Sequence, residues 1–306
     1  MTPRREIRYP VPVATNVTLM IVGSLLYFTL LHAASRTTSA LGLATTAVLF
    51  VALMVMLYGL IHEAEHDILL PDRAWNLYAG RWLCAMFGVS FAFLRHCHLR
   101  HHVKNRTDVE VWDLCLEHHV PWQRRLNLYL MLSGLGYFLL WVSVILFALA
   151  PAFVYRLFNR HTELAGFLAG SERRMRAIRR ESWMVIAFQS AMFLALQLDP
   201  FAYLVLFAAH GFVWCSQNYA THAYAPRDII NGAHNLSLPP GLRFVYLNFN
   251  LHLAHHQNPR IPWIHLPGFV QPSSQRLGFY QNYMRLWCGP RRSTEKNPVI
   301  ASRALK

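Results

Sequence analysis

From Thr15 to Ala34 the chain runs without a formally charged side chain, and after the polar link "SRTTS" a second apolar run extends from Ala40 to Ile61. About 20 such residues cross the hydrocarbon core of a bilayer as a helix, so both runs are predicted transmembrane helices. A third run, Leu126 to Pro151, has the length but carries Gly134 and Gly136 in its interior. Two shorter runs follow, Ser182 to Leu198 and Phe201 to Ser216, with Asp199-Pro200 as the turn between them.

Charge decides how these runs are threaded. Arg4, Arg5 and Arg8 precede the first run, and the positive-inside rule then puts the N-terminus in the cytoplasm. Two crossings return His62 to that side. If the third run also crossed, Arg156, Arg160, Arg173, Arg174, Arg176, Arg179 and Arg180 would fall outside, against the rule. A third run that dips in and returns keeps them cytoplasmic and leaves the last two as an out-and-back hairpin. The pattern predicts an all-α integral membrane protein with about four transmembrane helices and one re-entrant or interfacial segment. Its histidine-rich segments would form a cytoplasmic cap.

Composition agrees. Hydrophobic residues make up 54% of the 306, and charged residues only 14%, against about 25% in soluble domains. The basic, proline-rich start "MTPRREIRYPVPVATN" does not resemble a cleaved signal peptide. The five cysteines form no C-x-x-C, which argues against disulfides and thiolate metal sites. No repeat or long linker divides the chain, so 1–306 is expected to be one domain, with 271–306 a basic cytoplasmic tail. The net charge of +14 fits basic loops beside anionic headgroups, or a face that docks an acidic electron carrier. No nucleic-acid-binding motif accompanies it.

The 17 histidines change the picture, because histidine inside a membrane protein usually marks function. "HEAEH" places His62 and His66 one turn apart; "HLRHH" gives His98, His101 and His102; "HLAHH" gives His252, His255 and His256. Positions i, i+3 and i+4 of a helix share a face, so each cluster aims its imidazoles one way. Read alone, His62-Glu63-Ala64-Glu65-His66 matches a zinc-protease signature with Glu63 as general base. A catalytic zinc usually takes three protein ligands; a lone zinc on His62 and His66 has no plausible third ligand and would leave six histidines idle. "LDP" at 198–200 also differs from the Leu-Asp-Gly of intramembrane zinc proteases. Eight or nine nitrogen donors suit two metals of intermediate softness, and iron links such ligation to oxygen chemistry. A non-catalytic metal-binding or transport protein is a third reading, disfavoured because the histidines lie at the ends of runs rather than at their centres.

The three boxes in this order resemble the membrane fatty acid desaturase superfamily, over roughly residues 55–270. The flanks "HHVKNRTDVEVWD" and "NLHLAHHQNPRIPWIHLP" are similar to that family's second and third boxes. The resemblance implies two iron ions held by His62, His66, His98, His101, His102, His252, His255 and His256, with O2 as co-substrate. It also implies a ninth ligand from an Asn-x-x-x-His element, matched by Asn218 (through water) and His222, with His234 as competitor. Glu63 becomes a carboxylate that orients a liganding imidazole, a role open also to Glu65, Asp67, Asp108, Glu110 and Asp113; Glu63 and Asp108 are the leading candidates. The expected activity is desaturation of a fatty acyl chain, with hydroxylation or alkene-forming decarboxylation as alternatives on the same scaffold. No cytochrome b5-like or flavin motif is present, so a separate ferredoxin-like donor is expected, in what would be a bacterial inner membrane. His96 reads as a neighbour of the second box, His118 and His119 as solvated, and His32 as too distant. His210 faces either the metal cavity or a helix.

Overall fold

The computed structural model describes residues 9–150, 172–271 and 276–298. Arg4, Arg5, Arg8, Arg156, Arg160 and, in the C-terminal tail, residues 272–275 and 299–306 therefore lie outside the described residues.

The first two runs form helices α1 (Val13–Arg36) and α2 (Ala40–Glu65), which pack on each other. Ser39 caps α2 by accepting the Gly42 N–H. Gly23 allows the close approach: a Cβ there would meet Leu57 Cδ2 at 2.7 Å. Helix α2 outlasts its apolar run by four residues, so the turn that leaves the hydrophobic stretch also presents His62 and stops just short of His66. Asn76 pins the next loop, accepting the Leu69 and Leu70 N–H groups and donating to the Ala64 carbonyl.

Helix α3 (Arg73–Phe87) starts at an Asp72 cap and stops at Gly88, whose φ of +82° favours glycine. Helix α4 (Phe91–Lys104) leaves at 99° to it, capped by Ser90. Glu181 locks this elbow. Its buried carboxylate accepts from Arg81 Nε (2.7 Å), Ser90 Oγ (3.1 Å) and the Ala92 N–H (2.6 Å), the last at the start of α4.

The third run is broken. Helices α5 (Pro121–Leu132) and α6 (Leu135–Leu149) meet at 75° around Gly134. Gly134 has φ +92°, and a Cβ there would lie 2.7 Å from the Phe212 amide nitrogen, so glycine is demanded twice. The predicted hairpin is helices α7 (Glu172–Ala195) and α8 (Pro200–Ala220), the latter capped by Asp199. Among the described residues, α1 and α2 alone are each long and apolar enough to cross a membrane, and the two bent pairs qualify only jointly. The α7–α8 limbs, expected as full crossings, do not: α7 opens with arginines, and α8 carries Ser216, Gln217 and Asn218 in its last turns. Helix α8 packs against α1, α2 and α6, with Leu206 and Phe207 fully buried. The result is a mostly helical membrane protein with two to four apolar spans.

Beyond α8 the chain turns through α9 (Pro240–Val245), α10 (His252–Gln257), a 3-10 helix (Trp263–Phe269) and α11 (Phe279–Leu286). Strands β1 (Leu114–Cys115) and β2 (Arg291–Arg292) pair in parallel. The knot of this cap is Asp113, buried and paired with buried Arg106 at 2.6 Å. Asp113 also accepts from Tyr219 Oη and the Tyr224 N–H, each at 2.5 Å. These bonds tie the loop after α4 to the last turn of α8 and the segment beyond it.

Candidate metal centre

Nine histidines converge in two groups whose ligand atoms lie within 4.8 Å of one another. The first holds His62, His66, His98, His102 and His255, and the second His101, His222, His252 and His256. The division follows helix geometry. At about 100° per residue, i and i+4 differ by ~40° in direction whereas i+3 points ~60° to the other side. Pairs His62/His66, His98/His102 and His252/His256 each stay within one group, and the i+3 residues, His101 and His255, cross into the other.

The arrangement fits metal ions better than hydrogen bonds. In the first group Nε2 atoms approach in a chain: His66 to His98 at 2.7 Å, His98 to His102 at 3.1 Å, His102 to His255 at 3.1 Å. A neutral imidazole nitrogen has one N–H or one lone pair, so His98 and His102 cannot each satisfy two partners with Nε2. His62 Nε2 and both ring nitrogens of His256 are buried without a hydrogen bond. Lone pairs aimed at a shared centre are what a cation requires and what an empty polar core penalises. Burial, reinforced by neighbouring imidazoles, holds His222, His252, His255 and His256 well below the usual histidine range, which keeps them neutral.

Outer partners set the ring orientations. His101 Nδ1 lies 2.6 Å from Glu110 Oε2, and His222 Nδ1 donates to the Gly232 carbonyl at 2.9 Å. Each contact turns Nε2 inward, and these two Nε2 atoms are 3.1 Å apart. Glu65, buried with neither oxygen hydrogen-bonded, sits 3.8 Å from His98 Nδ1.

Several expected carboxylates lie elsewhere. Asp108 is turned outward, its carboxylate 2.5 Å from Arg227. Glu63 accepts the Trp263 N–H at 3.0 Å and so ties α2 to the segment behind the third box rather than to an imidazole. Asp67 pairs with Arg95, and Asp113 belongs to the cap knot. Nothing in the local spacing separates Asp108 from Glu110; the turn in which the Glu110 N–H meets the Thr107 carbonyl decides which faces in. His234 stands outside both groups with Nε2 on the Ala223 carbonyl. His210 is buried edge-on to Phe87 and Tyr137. His96 is buried outside the groups, His118 packs on His119, and His32 is exposed.

A cavity of about 310 Å³ adjoins the second group. His98, His101, His222, His252 and Asn218 border it on one side, and the rest of its wall is mainly apolar or aromatic. Periodicity offered no signal for it, since its wall combines α4, the α5–α6 elbow and α8.

The family model described as fatty acid desaturase matches residues 38–287, more than half of the chain. No curated protein matches it significantly.

Proposed function

The chain belongs to the fatty acid desaturase family, and from that premise we propose that it is an O2-dependent di-iron desaturase of fatty acyl chains. The observation that carries this reading is one largely apolar cavity bordered by members of two all-histidine groups. Two iron ions bound there would supply, with O2, the oxidant that an unactivated C–H bond needs.

The chain's own groups bind, orient and exclude water. In this reading all nine histidines are ligands, Glu110 and the Gly232 carbonyl hold His101 and His222 in register, and Asn218 positions a water at the second group. Leu94, Leu140 and Trp214 line the cavity and keep bulk water from the reacting carbons. Among the described residues that line the cavity there is no arginine or lysine. An uncharged stretch of chain is therefore the part that enters, while a carboxylate or other head group stays outside. That favours attack on methylenes along the chain over decarboxylation, which would need the carboxylate at the metals.

The balance is that two hydrogens leave adjacent carbons, and O2, two electrons and two protons complete two waters. The electrons come from a separate ferredoxin-like carrier, drawn to the basic cap. The cap faces the cytoplasm of a bacterial inner membrane.

Mass spectrometry of lipids from a host that expresses the chain with a ferredoxin system tests the proposal, with His255→Ala as control. A product two hydrogens lighter, absent from the control, is the expected result. A product heavier by one oxygen would make the protein a hydroxylase, and peptide cleavage that survives His255→Ala would restore the zinc-protease reading.

A further inference from the structure

Helix α5 has two faces of opposite fate. Trp122, Leu126 and Leu130 follow one another at i, i+4 and i+8 and so share one side of the helix, where they are 65%, 47% and 41% exposed. Leu128 and Leu132 point elsewhere and are fully buried. The exposed polar residues Gln123, Arg125 and Asn127 flank the apolar stripe, and no Asp or Glu occurs between Pro121 and Leu149. The next helix indicates what meets the open face. Helix α6 carries no charge from Leu135 to Leu149 and turns Leu139, Ile145 and Leu149 outward, as a helix in hydrocarbon does. With α6 upright in the bilayer, the 75° bend sets α5 close to the membrane plane. An apolar stripe led by tryptophan, with arginine and no acid beside it, suits the headgroup layer of an anionic membrane.

The buried side of α5 reaches the second histidine group. Leu128 and Leu132 share one cluster with Leu286 of α11 and with Ala223, the residue after His222. From α11, Asn282 Nδ2 donates to the Ala220 and Ala223 carbonyls at 2.8 and 3.1 Å. Tyr129 of α5 joins the two helices, its Oη donating to the Trp287 carbonyl at 3.0 Å. The short segment that carries His222 is therefore held by α5 and α11 together.

We infer that an anionic bilayer surface is the binding partner of α5 and that, by seating this helix against the cap, it keeps His222 in the second group. The inference rests on the reading of the histidines as metal ligands and not on the reaction they serve.

The test uses the full-length protein, loaded with iron, in nanodiscs of phosphatidylcholine with or without phosphatidylglycerol. Nitroxide labels are placed at Trp122→Cys, Leu126→Cys and Leu130→Cys after the exposed Cys288 is changed to Ser. All three are expected to meet dissolved O2 more readily than a water-soluble nickel complex, and at equal depth. A crossing helix would instead step about 6 Å deeper from each label to the next. Iron loss to a chelator is then followed in both lipids, the second group's iron being the one absent from His222→Ala. That iron is expected to leave about fivefold faster without the anionic lipid, the effect of one arginine at the surface, and the first group's iron at an unchanged rate. Arg125→Gln is expected to abolish the lipid difference. Labels in water, stepped depths, equal iron loss in both lipids or equal acceleration of both irons would overturn the inference, and a protein that takes up no iron would overturn it together with the metal reading. Double bonds formed in the expressing host are read separately. Their absence beside lipid-dependent iron loss would sink the desaturase reading alone, and their presence beside equal loss would sink this inference alone.

Discussion

The two histidine groups are built from the same boxes yet differ in what surrounds them. The first draws five rings from α2 and the residue that caps it, α4 and α10, and the carboxylate beside His98, Glu65, is buried with no hydrogen bond. The second draws four, one of them from the loop after α8, and two of its rings are steered by Glu110 and the Gly232 carbonyl. Three of those four border the cavity, against one of the first group's five. The first group is thus held mainly by helices. The second depends on loops that must be brought together, and it faces the substrate space. Loop-built sites respond to distant changes in the cap, and helix-built sites respond chiefly to loss of a ligand.

The largest effects should come from ligands themselves. His255→Ala is expected to remove the only third-box donor of the first group, and His222→Ala the only donor of the second outside the boxes. Each variant should lose one metal of two, by elemental analysis, and lose activity by well over the ~100-fold typical of outer partners. If either change emptied both sites, the groups would be one cooperative cage and the comparison would fail.

Next is the cap knot. Asp113→Ala leaves Arg106 buried without its partner, a loss of about 3–5 kcal/mol, readable as a lowered unfolding midpoint in detergent. Because Asp113 anchors Tyr219 and Tyr224 on either side of His222, metal should leave the second group first. Glu110→Gln is milder. It should weaken the second metal by ~10–100-fold without touching the first, measurable by competition with a chelator. The smallest effect is expected at Asp108, whose ion pair with Arg227 is partly exposed on the carboxylate side. Asp108→Asn should change stability by less than about 1 kcal/mol and leave metal content intact. A loss of metal there comparable to that of Glu110→Gln would mean the loop is arranged differently.

The expectation for Asp108 shows where pattern reading stops. Asp108 and Glu110 lie two residues apart in a short loop, and no period orders a loop as it orders a helix. Glu65 and Glu63 differ likewise: both are on α2, but only the fold puts Trp263 against one and His98 near the other. The α3–α4 elbow was hidden for a related reason. Residues 73–94 mix Trp, Arg and Gly with no clean apolar stripe, and their bend is held by Glu181, some ninety residues further on. The bend between α5 and α6 turned on Gly134, which was visible in the sequence as a glycine but not as a backbone contact with α8.

The sequence alone determined the two long apolar helices, the break in the third run and the identity of the histidine clusters. Each is a local property: hydrophobic length, an absent side chain, or a spacing that puts imidazoles on one helix face. Tertiary structure decided how those histidines divide between two centres, which carboxylate meets which ring, and which segments wall the cavity. Those outcomes depend on contacts between segments far apart in the chain, and a helical period has no phase relation to a segment it has yet to meet.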